Sequence, residues 1–126
     1  MKDNNVYIDL IIAACQKISK YISGLDEPAF LEQSMIQSAV LMQLQVVGEM
    51  SKQLDEETKS EIGAPRKMIV WLRNLISHDY FMLELTTIWK IVSEDIVDLE
   101  EKLHAYLKAH GTSYMPPFSD TTPLMD

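Results

Sequence analysis

Arg73, His78 and Tyr80 fall within one short stretch, Trp71-Leu72-Arg73-Asn74-Leu75-Ile76-Ser77-His78-Asp79-Tyr80-Phe81, the one place in the sequence where side chains fit for chemistry gather. An imidazole exchanges protons near neutral pH and a guanidinium presents a planar fork of donors, so the stretch suits proton transfer beside an anionic group. On one unbroken helix, positions 73 and 78 would lie roughly 140° apart and could not easily converge. The spacing therefore predicts that the stretch straddles a helix end, where orphan carbonyls and the negative pole of the dipole favour a protonated imidazole. The same residues admit a structural reading: an arginine paired with an acid, a histidine at a helix end, a tyrosine on the core's rim. Spacing alone leaves both open. A Ser-His-Asp arrangement is not supported, because Ser77, His78 and Asp79 are adjacent and their side chains diverge.

At these residues the sequence resembles a known family. Arg-x4-His-x-Tyr, here Arg73, His78 and Tyr80, is the signature of the HEPN superfamily of small helical ribonucleases, and Leu72-Arg73-Asn74 to His78-Asp79-Tyr80-Phe81 is similar to its HepT branch. Val47-Gly48-Glu49 resembles that branch's Ile-Gly-Glu step, and Ile88-Trp89-Lys90-Ile91-Val92 resembles the opening of its last helix, in corresponding order over roughly residues 6 to 107. Met50 departs from the family, which usually has alanine there; the difference touches packing, not chemistry.

The composition sets bounds that the resemblance must meet. With 126 residues the chain suits one domain and one core. A single cysteine, Cys15, excludes an internal disulfide and any multi-cysteine metal site; lying in an apolar stripe, it reads as a small core residue. No apolar run approaches the ~20 residues of a membrane span, and Asp3 and Asp9 stand where a signal peptide would be basic, so a cytoplasmic protein is expected. The net charge of -8 argues against broad nonspecific binding to nucleic acid. Its distribution softens that objection. Arg66 and Arg73 are the only arginines, Lys67 is beside the first, and between residues 64 and 83 only Asp79 opposes them. Glu94, Asp95, Asp98, Glu100 and Glu101 crowd a later segment, which reads as a solvated helix face.

Read in order, Asn4 or Asn5 caps a first helix with Val6, Tyr7, Leu10, Ile11, Ala14, Ile18, Tyr21 and Ile22 at helical spacing, stopped by Gly24. Asp26-Glu27-Pro28 opens a short turn. A long helix from Ser34 to about Leu54 follows, with Ile36, Val40, Leu44, Val47 and Met50 on one stripe and Leu41 and Met42 widening it, which points to a partner subunit. Glu49, inside this apolar stretch, reads as a buried acid paired with Arg73 or a backbone group. Asp55 to Ile62 forms a short acidic helix or ordered loop ended by Gly63-Ala64-Pro65. The motif helix then carries Met68, Ile69, Leu72, Leu75 and Ile76 on its apolar side, with Arg73 beside them. A last helix runs from about Leu85 to Ala109, with Ile88, Ile91, Val92, Ile96, Leu99, Leu103, Tyr106 and Leu107 on one face and Gly111 as its stop. No segment alternates with period two, so the expectation is all-α: an antiparallel, HEPN-like bundle of about four principal helices plus one or two short ones. The domain spans residues 1–111. Residues 112–126, with Pro116-Pro117, form a flexible or partner-docking tail.

The resemblance implies a metal-independent endoribonuclease that works as a homodimer on RNA, the toxin of a toxin–antitoxin pair whose nucleotidyltransferase antitoxin adenylylates Tyr80. In that reading Arg73 stabilises phosphate, His78 is general base or acid, Tyr80 positions substrate, and Asn74, Asp79 and Glu49 support them. One histidine in the motif is few for two proton transfers, which is a reason to expect two motifs facing each other. Glu101-x-x-His104 has metal-ligand spacing but occurs once, so neither a metal nor another cofactor is assigned. The rival is a non-catalytic helical dimer that binds a nucleotidyltransferase or a nucleotide, favoured by the pI of about 4.8.

Overall fold

The computed structural model describes residues 4–64, 66–77 and 84–117, and within 66–77 the side chains of Lys67, Met68, Val70, Trp71, Leu72 and Asn74. The helices follow from local signals at their ends. Helix α1 (Asn4–Tyr21) leads to the short α2 (Glu27–Leu31), whose N-terminus is capped by Asp26 Oδ1 accepting from the Ala29 N–H at 3.0 Å, with Pro28 in the first turn. Helix α3 (Ser34–Lys52) is followed by α4 (Glu56–Ile62), capped in the same way by Asp55, which accepts from the Thr58 N–H at 2.8 Å. Gly63 then adopts φ +73°, the left-handed conformation that a Cβ disfavours, and ends α4. Helix α5 (Arg66–Ser77) starts three residues later. Beyond the undescribed segment come α6 (Leu85–Lys90), one π-helical turn (Ile91–Asp95) and α7 (Ile96–Ala109). The four long helical runs and two short helices make the expected all-α bundle, and no strand occurs among the described residues. Nor is any helix among the described residues long and apolar enough to cross a membrane.

Helix α1 is the centre of the packing, lying against both α3 and α7, while α5 packs on α3 and α4 on α7. With neighbours on two sides, α1 buries a wider arc than one stripe: Ile8, Ile11, Ile12, Ala14, Cys15 and Ile18. Cys15 is fully buried, as its setting in the sequence suggests, and burial pushes its thiol well above the ordinary cysteine range. Val6, placed by its spacing on the packing face, is instead 51% exposed at the beginning of the helix. Asn4 does more than begin α1: its Nδ2 donates to Asp55 Oδ2 at 2.9 Å, fastening the start of the chain to the cap of α4. The Thr58 hydroxyl, then the Asn4 amide and the Thr58 N–H, hold the Asp55 carboxyl below the usual carboxylate range.

Two features of the last helical run are not visible in its periodicity. The run from Leu85 to Ala109 is not uniform, because the turn at Ile91–Asp95 is π-helical and Ile96 N–H bonds the carbonyl five residues back, at Ile91. Ser93 Oγ donates to the Trp89 carbonyl at 2.7 Å, a side-chain bond of the kind that competes with the regular ladder. Adjacent Ile91 and Val92 are both buried across this wider turn. Just before it, Trp89 packs on Phe30 with ring centroids 5.3 Å apart and tilted by 40°, joining α2 to α6. Phe30 is 0% exposed, so Phe30→Ala should destabilise the protein by about 3–5 kcal/mol, read as a lower midpoint in urea.

The second feature is the chain after Gly111. That glycine, at φ +75°, ends α7 as expected, and Thr112 N–H returns to the Leu107 carbonyl at 3.0 Å. Residues 112–117 then lie on the protein's own surface: Met115 N–H donates to Asp9 Oδ1 at 3.3 Å, and Tyr114 meets His104 edge-on at 6.0 Å. Burial, followed by the nearby charges of Asp9 and Glu100, raises the Tyr114 hydroxyl above the ordinary tyrosine value. The tail therefore begins with a docked segment on α1 and α7. A lone tyrosine among polar and proline residues carries no helical stripe, which is why spacing did not reveal it.

Candidate active site

Helix α5 carries the first half of the chemical stretch, and its sequence sorts into two sides more sharply than any other long helix here. Met68 and Leu72, four residues apart, are buried and line a small apolar pocket with Ile11, Leu54, Ile62, Leu99 and Leu103. Trp71 packs partly buried at the core's edge. Lys67, Val70 and Asn74 are exposed on the other side. The twelve residues of the helix include Arg66, Lys67 and Arg73 and no acid. Arg73 belongs to the described helix by its backbone. His78, Asp79 and Tyr80 lie outside the described residues, as does the predicted helix end between Arg73 and His78.

Asn74, expected to support the site, is exposed on α5. Glu49, expected to be a buried acid, is not buried: its side chain is 45% exposed and Oε1 lies 3.8 Å from Lys52 Nζ. The reason is helical phase: Val47 and Gly48 turn inward, which leaves Glu49 on the outer side of α3. An apolar stretch around an acid does not bury it when the acid holds the outward position.

The other two histidines are engaged on α7 and at its C-terminal end. His104 Nε2 lies 3.2 Å from Glu100 Oε2, which also accepts from Gln16 Nε2 at 3.4 Å, so His104 turns to Glu100 and not to the Glu101 of the metal-like spacing. His110 pairs with Glu61 of α4. Among the described residues no group of three or more His, Cys, Asp or Glu side chains could hold a metal ion.

A family model for HepT-like ribonucleases matches residues 11–106 of the chain. The chain belongs to the HepT-like ribonuclease family. It is thereby a ribonuclease by family, and the match runs from residue 11, within α1, through most of α7 while excluding the docked segment at 112–117. A candidate RNase of Methanocaldococcus jannaschii is 26% identical over 103 residues, covering 81% of this chain and 94% of that protein. A candidate RNase of Caldanaerobacter subterraneus subsp. tengcongensis is 25% identical over 109 residues, covering 86% and 97%. A Thermococcus cleftensis protein named "Probable ribonuclease HepT" is 30% identical over 103 residues, covering 81% and 94%. No solved structure matches the chain.

Proposed function

We propose that this HepT-like protein is a metal-independent endoribonuclease, active as a homodimer, and the toxin of a pair whose antitoxin is a nucleotidyltransferase that adenylylates Tyr80. The observation that carries the reading is the HepT-like ribonuclease family match, together with an α5 sequence of three cations and no acid, Arg73 among them, in a protein of net charge -8. Cleavage of RNA without a metal requires a base to take the 2′-hydroxyl proton, an acid to protonate the departing 5′-oxygen, and positive charge for the pentacoordinate phosphate. Arg73 supplies the charge. His78 exchanges the protons, Tyr80 holds the substrate, and Asn74 and Asp79 orient the group. The test is incubation of purified protein with total RNA in the presence of a chelator. Cleavage is the expected result; intact RNA would favour the rival, a helical dimer that binds a nucleotidyltransferase or nucleotide without cutting.

The homodimer is supported by the outer face of α3. Met35 is 85% exposed and Met42 63%, and seven residues apart they lie on one side of the helix, where a monomer leaves both apolar side chains in water. Two chains joined there would supply two copies of His78. Met42→Glu should convert a dimer into a monomer by light scattering at micromolar concentration and reduce cleavage with it. An active wild-type protein that is purely monomeric at that concentration would exclude the shared cleft.

A further inference from the structure

The outer face of α5 extends well beyond Arg73, and its composition is at odds with both the helix and the protein that carry it. At 100° per residue, positions 66, 67, 70, 73 and 74 fall within an arc of roughly 120°, while buried Met68 and Leu72 occupy the opposite side. Lys67 is the described cation of this face, and Arg66 and Arg73 hold sequence positions within the same arc. Lys67, Val70 and Asn74 on this face are exposed. Arg66 and Lys67 also sit in the first turn, where positive charge opposes the helix dipole and lowers helix stability. A local arrangement that costs stability, retained on an otherwise acidic chain, calls for a compensating interaction, and a polyanion lying along the helix supplies one.

We infer that the exposed α5 face from Asn74 back to Lys67 is a track for single-stranded RNA, extending the substrate contact about 10 Å along the helix from the cleavage site. The inference rests on the ribonuclease reading and specifies the substrate as a strand several nucleotides long on that side of the cut. Lys67 meets a phosphate remote from the scissile one. Asn74, whose amide both donates and accepts, meets a base edge or sugar next to the site. Val70 between them gives the strand an apolar surface. A remote phosphate contact strengthens ground-state and transition-state binding alike, so its loss raises KM and leaves kcat unchanged.

The experiment compares Lys67→Gln, Lys67→Arg and Lys17→Gln with the parent protein on a single-stranded RNA oligomer, across a range of salt concentrations. Lys17 is exposed on α1 and serves as a control for net charge. Lys67→Gln should raise KM by roughly 3- to 10-fold with kcat unchanged, and reduce the slope of log KM against log salt by about 0.7, the share of one single-strand phosphate. Lys67→Arg should restore parent behaviour, and Lys17→Gln should keep it. The track is overturned if Lys67→Gln matches the parent, if Lys17→Gln produces an equal change, or if Lys67→Gln alters the dimer mass, which would make this face a contact between chains. A parent protein that neither cleaves nor binds the oligomer refutes the ribonuclease reading itself, whereas an active parent with an unaffected Lys67→Gln refutes only the track.

Discussion

His78→Ala protein is expected to keep its helical content and its dimer mass while losing RNA cleavage by at least about 100-fold, the lower end of what a positioned proton-transfer group contributes. The chain has three histidines. His104 of α7 is held by Glu100, and His110 at the end of α7 by Glu61, whereas His78 alone belongs to the stretch that begins on α5. Neither of these histidines can replace it without leaving its carboxylate partner. The loss should appear in kcat, because an imidazole that moves protons matters most in the transition state. His104→Ala provides the control: that ring is partly exposed and paired with Glu100 one turn back on its own helix, so cleavage should remain near the parent level. Undiminished cleavage by folded His78→Ala, measured on the same RNA preparation, would end the proposed mechanism. Arg73→Lys should also be severely impaired, since a point charge replaces a planar fork that can hold two phosphate oxygens at once.

The expectations that held were those fixed by chemistry within a few residues. Asp26 and Asp55 mark helix starts because a short carboxylate reaches the free N–H groups of the next turn, and Gly63 and Gly111 mark stops because a left-handed residue is needed there. The buried positions Val40, Leu44 and Val47 of α3 and Met68 and Leu72 of α5 recur at helical spacing. What failed turned on helical phase or on neighbours in space. Val6 is apolar yet 51% exposed at the start of α1, Glu49 is one step out of phase with Val47 and Gly48, and the π-helical turn at Ile91–Asp95 still buries Ile91 and Val92 and so leaves the apolar pattern unmarked. Tyr114 finds its place through His104 and Asp9, a packing no local pattern encodes. At the candidate site the sequence singled out α5 because its residue types are unusual for the chain. The outer position of Lys67 and Asn74 needed the burial of Met68 and Leu72 to be seen.

Co-expression with a cognate nucleotidyltransferase is expected to add adenylyl mass to the peptide containing Tyr80 and to abolish RNA cleavage, while Tyr80→Phe escapes modification. In the proposed site Tyr80 follows His78 by two residues, and its hydroxyl belongs at the edge of the substrate cleft, where a modifying enzyme reaches it without unfolding the bundle. The adduct brings a phosphodiester charge beside Arg73, and a guanidinium paired with phosphate in a partly desolvated cleft forms charge-assisted bonds of the strong kind. That pairing occupies the charge the RNA phosphate needs, and the attached nucleotide fills the space in front of it. Inhibition therefore requires no change of fold, and the modified protein should melt at the parent temperature or above it and retain its dimer mass. Tyr114 offers the contrasting outcome. Its ring packs on His104 and its hydroxyl is held above the ordinary tyrosine value by burial and by the charges of Asp9 and Glu100, which oppose its ionisation. Mass spectrometry that finds the adduct on Tyr114, or full activity in protein modified at Tyr80, would rule out this form of control.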